Sequence, residues 1–299
     1  MPKRYSTARG REFGDGVRAA IAQTSLTARE IAGVLGWQEA KVSDMVNGKG
    51  GVTRLEAAVL LGLCGTPPAE RDHLLALYPA RHLEGWWQPH GRCVPVRPRT
   101  ALTHLAVAKT VIGWHTHAIP APLRTAAYMR AMLLASATVP ADEIQERLLA
   151  LREMQALLRN GPDCTFYLHE LALDLQVGEL DDHVGQLQHL LRMANRKKIR
   201  IRILPTSTRA HAGMGGPFTQ LTFANLKPLV WMESENSSLF VEQKDQVEGY
   251  EAVVRALGEV SLTEDESMNL IARRCVRLQE VGEAEGTTQE DSDDPFPPL

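Results

Sequence analysis

Apolar residues in the first eighty positions recur at helical spacing. Phe13, Val17 and Ile21 stand four apart, which predicts a helix over 11–24 with one buried face. Thr27 and Glu30 have the spacing of a capping box, in which each side chain satisfies a backbone amide of the other residue. That box opens a second helix with Ile31, Val34 and Leu35 inward, and Gly36 ends it. A third helix over 38–47 carries Val42, Met45 and Val46 before Asn47-Gly48-Lys49-Gly50-Gly51 breaks it. Helices over 54–63 and 69–77 bring the number to five. Residues 1–80 therefore read as a small all-α domain.

The pattern then changes. Residues 81–99 hold Pro89, Pro95 and Pro98 around Trp86-Trp87, and Pro79 comes just before. This is a connecting segment, and its double Trp is apolar enough to dock on a domain. From residue 100 helical and alternating stretches are mixed. Helices are expected over 101–117 and 125–137, then from Pro140 to a stop at Asn160-Gly161-Pro162. Others follow over 182–195, 247–257 and 263–278, the last opened by a Thr263…Glu266 capping box. Strands are expected over 165–168, 218–223, 229–232 and 199–204, where Ile alternates with Arg as on a half-buried strand. The fold class is thus an all-α helix-turn-helix domain followed by a mixed α+β domain over 100–278.

Composition narrows the function. The 299 residues are 44% hydrophobic and 23% charged, a soluble globular profile. The net charge of −3 means that any contact with nucleic acid must come from a local patch. Residues 1–54 supply one, with nine Lys or Arg against five Asp or Glu. A second cluster, Arg192, Arg196, Lys197, Lys198, Arg200 and Arg202, reads first as the solvated, cationic end of a helix. After Arg277 come seven acids and no base, so 279–299 is expected to be an acidic disordered tail. No apolar run is long enough to span a bilayer, and the N-terminus lacks the apolar core of a secretory signal. Cys64, Cys93, Cys164 and Cys275 form no Cys-x-x-Cys pair. Reduced thiols in a cytoplasm are the simplest reading.

The strongest chemical signal is the segment from Leu26 to Lys49. A short helix stops at Gly36, turns through Trp37 and enters a second helix at Gln38. In such a helix-turn-helix the second helix lies in the major groove. The inward Ile31, Val42 and Met45 would fix the angle, leaving Gln38, Glu39, Lys41 and Asp44 outward to reach base edges or phosphates. Lys49, with the amides of Gly48 and Gly50, sits where a phosphate could be held. The run Leu26-Thr27, Glu30-Ile31-Ala32, Leu35-Gly36-Trp37, Lys41-Val42-Ser43, Met45 and Asn47-Gly48-Lys49 resembles the Xre and phage-repressor family. The resemblance implies binding of double-stranded DNA by a homodimer, through Thr27, Gln38, Glu39, Lys41, Ser43, Asp44, Asn47 and Lys49. It departs from the family at Ala28, where Gln is usual. It also puts carboxylates, Glu39 and Asp44, at base-reading positions.

The remainder resembles the uncharacterised domain that follows the helix-turn-helix in actinobacterial, antitoxin-like Xre regulators. Ile119-Pro120-Ala121-Pro122-Leu123-Arg124-Thr125, His169-Glu170-Leu171-Ala172-Leu173 and Gly216-Pro217-Phe218-Thr219 carry that likeness. It implies a regulator paired with a small partner protein encoded nearby. Enzyme signatures are incomplete: Leu173 stands where a zincin needs its second His, and His115 and His117 lack a third ligand nearby in sequence. No cofactor, metal or catalytic residue is assigned. Tyr128, His169, Glu170, His211, Phe218, Trp231 and Glu233 combine aromatic surface with polar groups and could line a ligand cleft. Three functions stay open: a transcription regulator, an antitoxin-like interaction module, and a small-molecule-binding or catalytic protein that retains a helix-turn-helix.

Overall fold

The computed structural model describes residues 6–159 and 161–290, without the side chains of Arg159 and of residues beyond Val281. Five helices come first: α1 (Ala8–Ala22), α2 (Ala28–Leu35), α3 (Glu39–Val46), α4 (Arg54–Leu63) and α5 (Pro68–Leu77). Then follow β1 (Trp86–Pro89), α6 (Arg99–Val107), β2 (Thr110–His115), α7 (Ala126–Ala135) and α8 (Ile144–Arg159). The chain continues through β3 (Asp163–His169), α9 (Leu171–Asp174), α10 (Leu180–Ala194), β4 (Ile199–Leu204) and β5 (Phe218–Thr222). It ends with β6 (Leu229–Glu233), β7 (Ser237–Val241), α11 (Lys244–Val260) and α12 (Glu264–Glu290). An all-α N-terminal region is followed by an α+β region, as the pattern predicts. The backbone of α12 stays helical beyond Leu278 as far as Glu290; the rest of the acidic segment lies outside the described residues.

The chain divides into two compact units. Of the described residues, the first holds 6–108 and 221–249. Here β7 is antiparallel to β1 on one side, with Trp86 opposite Phe240, and to β6 on the other, with Trp231 opposite Phe240. Segment 81–99 is therefore partly sheet, and Pro89 stands at the end of β1, where it breaks no internal ladder. The N-terminal helices close on a buried polar cluster. Both Glu242 carboxylate oxygens accept from the amide of Ala8 at the start of α1, at 2.8 and 2.9 Å. The Arg11 guanidinium donates to Glu242 at 3.0 Å and to His104 Nε2 at 2.6 Å. His104 Nδ1 donates to the Thr100 carbonyl, so its ring is neutral, and burial beside Arg11 pushes its pKa down to about 3. Burial also raises the pKa of Glu12. Hydrogen bonds from His73 and Thr100, with the nearby charges of His73 and Arg99, outweigh this and leave it low.

Of the described residues, the second unit holds 109–159, 161–220 and 250–290. Its strands β2, β3 and β4 are parallel, with β3 central: Trp114 pairs with Tyr167, and Tyr167 with Arg202. Val111, Trp114, Phe166, Leu168, Ile201 and Ile203 are buried. Arg202, expected in a solvated cationic cluster, is half-buried instead. It donates to the carbonyls of Gly258, Ser261 and Leu262 at the end of α11.

The expected helix over 101–117 is corrected. Helix α6 ends at Val107, Ala108 turns extended (φ −66, ψ 141), and residues 110–115 form β2. Thr110-Val111-Ile112 are three β-branched residues in a row, which favours a strand over a helix. A strand buried in a parallel sheet shows no alternation, so periodicity alone could not separate it from a helix.

Candidate nucleic-acid interface

Local chemistry sets the helix-turn-helix. Thr27 Oγ1 accepts from the Glu30 amide at 3.3 Å, while Glu30 accepts from the Thr27 amide at 2.7 Å, completing the capping box. Gly36 ends α2 in the left-handed conformation, with φ 66, which only glycine adopts without strain. Ile31, Val42 and Met45 are fully buried and lock α2 and α3 together. Gly48 follows α3 with φ +66 and touches α1 so closely that a Cβ there would lie 2.2 Å from the Gly10 carbonyl oxygen. Arg18 of α1 donates to the Val46 carbonyl at 2.6 Å, a cation placed on the negative end of α3.

What remains outward is polar. Gln38, Glu39, Ser43, Asp44, Asn47 and Lys49 are exposed, and Thr27 is exposed at the start of α2. Asn47 folds back, its Nδ2 donating to the Ser43 carbonyl at 2.7 Å. Lys41 differs from the expected outward cation. It is half-buried, ion-paired to Glu56, and its ammonium lies 4.8 Å above the Trp37 ring. The hydrogen bond from Lys41 holds Glu56 below the usual carboxylate range, so a DNA phosphate would compete with Glu56 for this charge. Glu39 is answered by Arg29 of α2 at 2.9 Å. Arg29, Trp37 and Glu56 went unassigned in the sequence reading. Only Glu56 left a signal, as the third residue after Thr53 in a further capping box.

Beside α3 a depression of about 310 Å³ is lined by Thr7, the loop Gly48–Gly51, Arg81 and His82. Arg81 lies 3.7 Å over the Tyr78 ring and donates to the Tyr78 carbonyl at 2.7 Å. Lys49 and Arg81 thus border one glycine loop, an arrangement suited to a phosphate oxygen.

The seven residues offered for a ligand cleft do not form one set. Trp231 and Glu233 belong to the first unit, where Trp231 stacks on Phe240. Tyr128 is fully buried and accepts from the Ile119 amide, and Phe218 meets Tyr250 edge-on at 4.8 Å. Glu170 faces Thr206 and Arg274, at 2.8 and 2.6 Å. Burial raises its pKa, and those partners outweigh the effect and lower it. Only His169 and His211 come together, their rings stacked 6.1 Å apart. Among the described residues no group of three or more His, Cys, Asp or Glu is placed to hold a metal ion.

Residues 99–273, more than half of the chain, match the domain of unknown function DUF5753. The chain belongs to that family. Residues 12–74 match the Helix-turn-helix domain family, a span covering most of α1 and all of α2 to α4. Comparison with curated proteins and with solved structures gave no match. The DUF5753 span begins at α6 and ends within α12, so it draws on both compact units. No helix among the described residues is long and apolar enough to cross a membrane.

Proposed function

We propose that this protein is a cytoplasmic, sequence-specific DNA-binding transcription regulator of the Xre type, rather than an enzyme. The observation that carries this reading is the match of residues 12–74 to a helix-turn-helix, joined to an α3 whose Val42 and Met45 are fully buried and whose Glu39, Ser43 and Asp44 are exposed. Glu39, Ser43, Asp44 and Asn47 read bases, while Thr27, Gln38, Lys41 and Lys49 hold the backbone. Helix-turn-helix proteins commonly dimerise on two half-sites about one turn apart. The exposed row Leu55, Val59 and Leu63 on α4 is the apolar surface on which we place that contact. The second unit takes the effector or the small partner protein.

The test is binding to the DNA upstream of the protein's own coding sequence, measured against scrambled DNA over a range of salt. Specific binding about a thousandfold tighter than non-specific binding is expected. Lys49→Ala should lower the slope of log affinity against log salt by about one unit. Equal affinity for both DNAs would overturn the reading.

A further inference from the structure

The carboxyl ends of the parallel strands lie level, with His115 beside Leu168 and His169 beside Leu204. Ligands of open parallel sheets bind just beyond such ends. Here Trp114 is fully buried. The rings of His169 and His211 meet it edge-on, with centroids 6.4 and 5.5 Å away. A short turn over Ala212–Gly215 brings His211 in, because the indole of Trp114 donates to the Gly213 carbonyl at 2.8 Å. A Cβ on Gly213 would come within 2.6 Å of that indole, so only glycine lets the turn close on it.

Both imidazoles are held in the same manner. The Leu171 amide donates to His169 Nδ1 at 3.2 Å, and the Gly213 amide donates to His211 Nδ1 at 3.1 Å. A ring nitrogen that accepts carries no proton, so each neutral ring has its proton on Nε2. Neither Nε2–H has a partner among the described residues. Burial, and then the neighbouring His169, keep the His211 pKa below its ordinary value, which favours the neutral ring. A metal bound through Nε2 would require the proton on Nδ1, directed at an amide N–H. The backbone therefore opposes metal ligation and presents two donors instead. Glu170, the adjoining carboxylate, is engaged by Arg274 and Thr206 and leaves the donors unopposed.

We propose that His169 and His211 form a binding site for a small molecule bearing an oxyanion, a carboxylate or a phosphate, which accepts from both Nε2–H groups beside Trp114. This names the chemistry of the effector in the regulatory reading and rests on that reading only for its use in the cell. The experiment reads binding without DNA, so either idea can fail alone.

Imidazole nitrogen NMR on the full chain should show the Nε2–H form for both residues. Titration with inorganic phosphate and, separately, with acetate should shift both rings. A response to phosphate alone assigns a phosphate ligand, to acetate alone a carboxylate, and to both the shared chemistry. His169→Ala and His211→Ala should each weaken binding about tenfold or more, the value of a hydrogen bond to a charged group. His211→Gln, which restores an N–H donor, should recover part of the loss. If an alanine variant does not fold, the wild-type titration decides. An Nδ1–H form of either ring, no response to both anions, or a response to zinc but not to the anions would overturn the proposal.

Discussion

Glu242→Ala tests the buried cluster that holds the start of α1. The Glu242 side chain is 2% exposed and that of Arg11 9%, so the pair sits in a poorly solvating interior. Removing the carboxylate leaves the guanidinium without a counter-charge and the Ala8 amide without its acceptor. Loss of one partner of such a pair costs about 3–5 kcal/mol. The double variant Arg11→Met/Glu242→Leu removes both charges. It leaves the Ala8 amide unpaired as the single variant does, and also orphans His104 Nε2 and the Ser6 carbonyl, at about 1–3 kcal/mol for each buried group. Relief of the uncompensated buried charge is of the same size, so the double variant should be no less stable than Glu242→Ala. Four of the five tryptophans, Trp37, Trp86, Trp87 and Trp231, lie in the first unit, so urea unfolding followed by fluorescence reports mainly on it. The expected result is a lower midpoint at unchanged slope for the single variant, partly restored in the double. A single-variant loss under about 1 kcal/mol, or strictly additive losses, would refute the account.

Acid should destabilise the protein before its carboxylates titrate. His104 and His115 are both pushed down to about 3 by burial, so below about pH 6.5 the unfolded chain binds protons that the folded chain refuses. Stability is whole above that pH and falls as pH drops, by about tenfold in the folding constant per unit and per group; an unfolding constant flat between pH 6 and 5 would contradict this. His73, raised by its hydrogen bond to Glu12, acts above that window: its contribution is lost as pH rises through its folded value. Gly48→Ala should cost at least about 1 kcal/mol, because it combines left-handed backbone with a clash against Gly10; calorimetry showing an unchanged melting point would exclude that contact. Leu55→Glu with Val59→Glu should leave folding intact and turn a dimer into a monomer by sedimentation; an unchanged dimer moves the interface off α4.

Local signals made the N-terminal region legible. The Thr27–Glu30 box, Gly36 and the four-residue spacing of Phe13, Val17 and Ile21 each act within a few residues, and each appears where the sequence placed it. Strand β1 was not legible, because Trp86–Pro89 becomes sheet only by pairing with β7, about 150 residues away. The pairing of Lys41 with Glu56 was hidden in the same way, since only the packing of α4 on its neighbours brings the carboxylate near. His169 and His211 were named as ligand candidates without a reason to join them. The reason is Trp114, which the helical reading of 101–117 had placed on the wrong kind of element.

The Arg11–Glu242 contact also bears on how the chain is made. Its two residues are separated by 231 positions. At roughly 5–20 residues per second, a ribosome finishes the second partner roughly 10–50 s after the first. During that interval α1 has left the ribosome with an arginine whose burial cannot yet be compensated. Helix α3 is braced by α1, through Gly48 on Gly10, so on the proposed reading DNA binding would wait for residues 221–249. On that reading, a nascent or prematurely terminated chain would carry the complete helix-turn-helix sequence and still compete poorly for DNA.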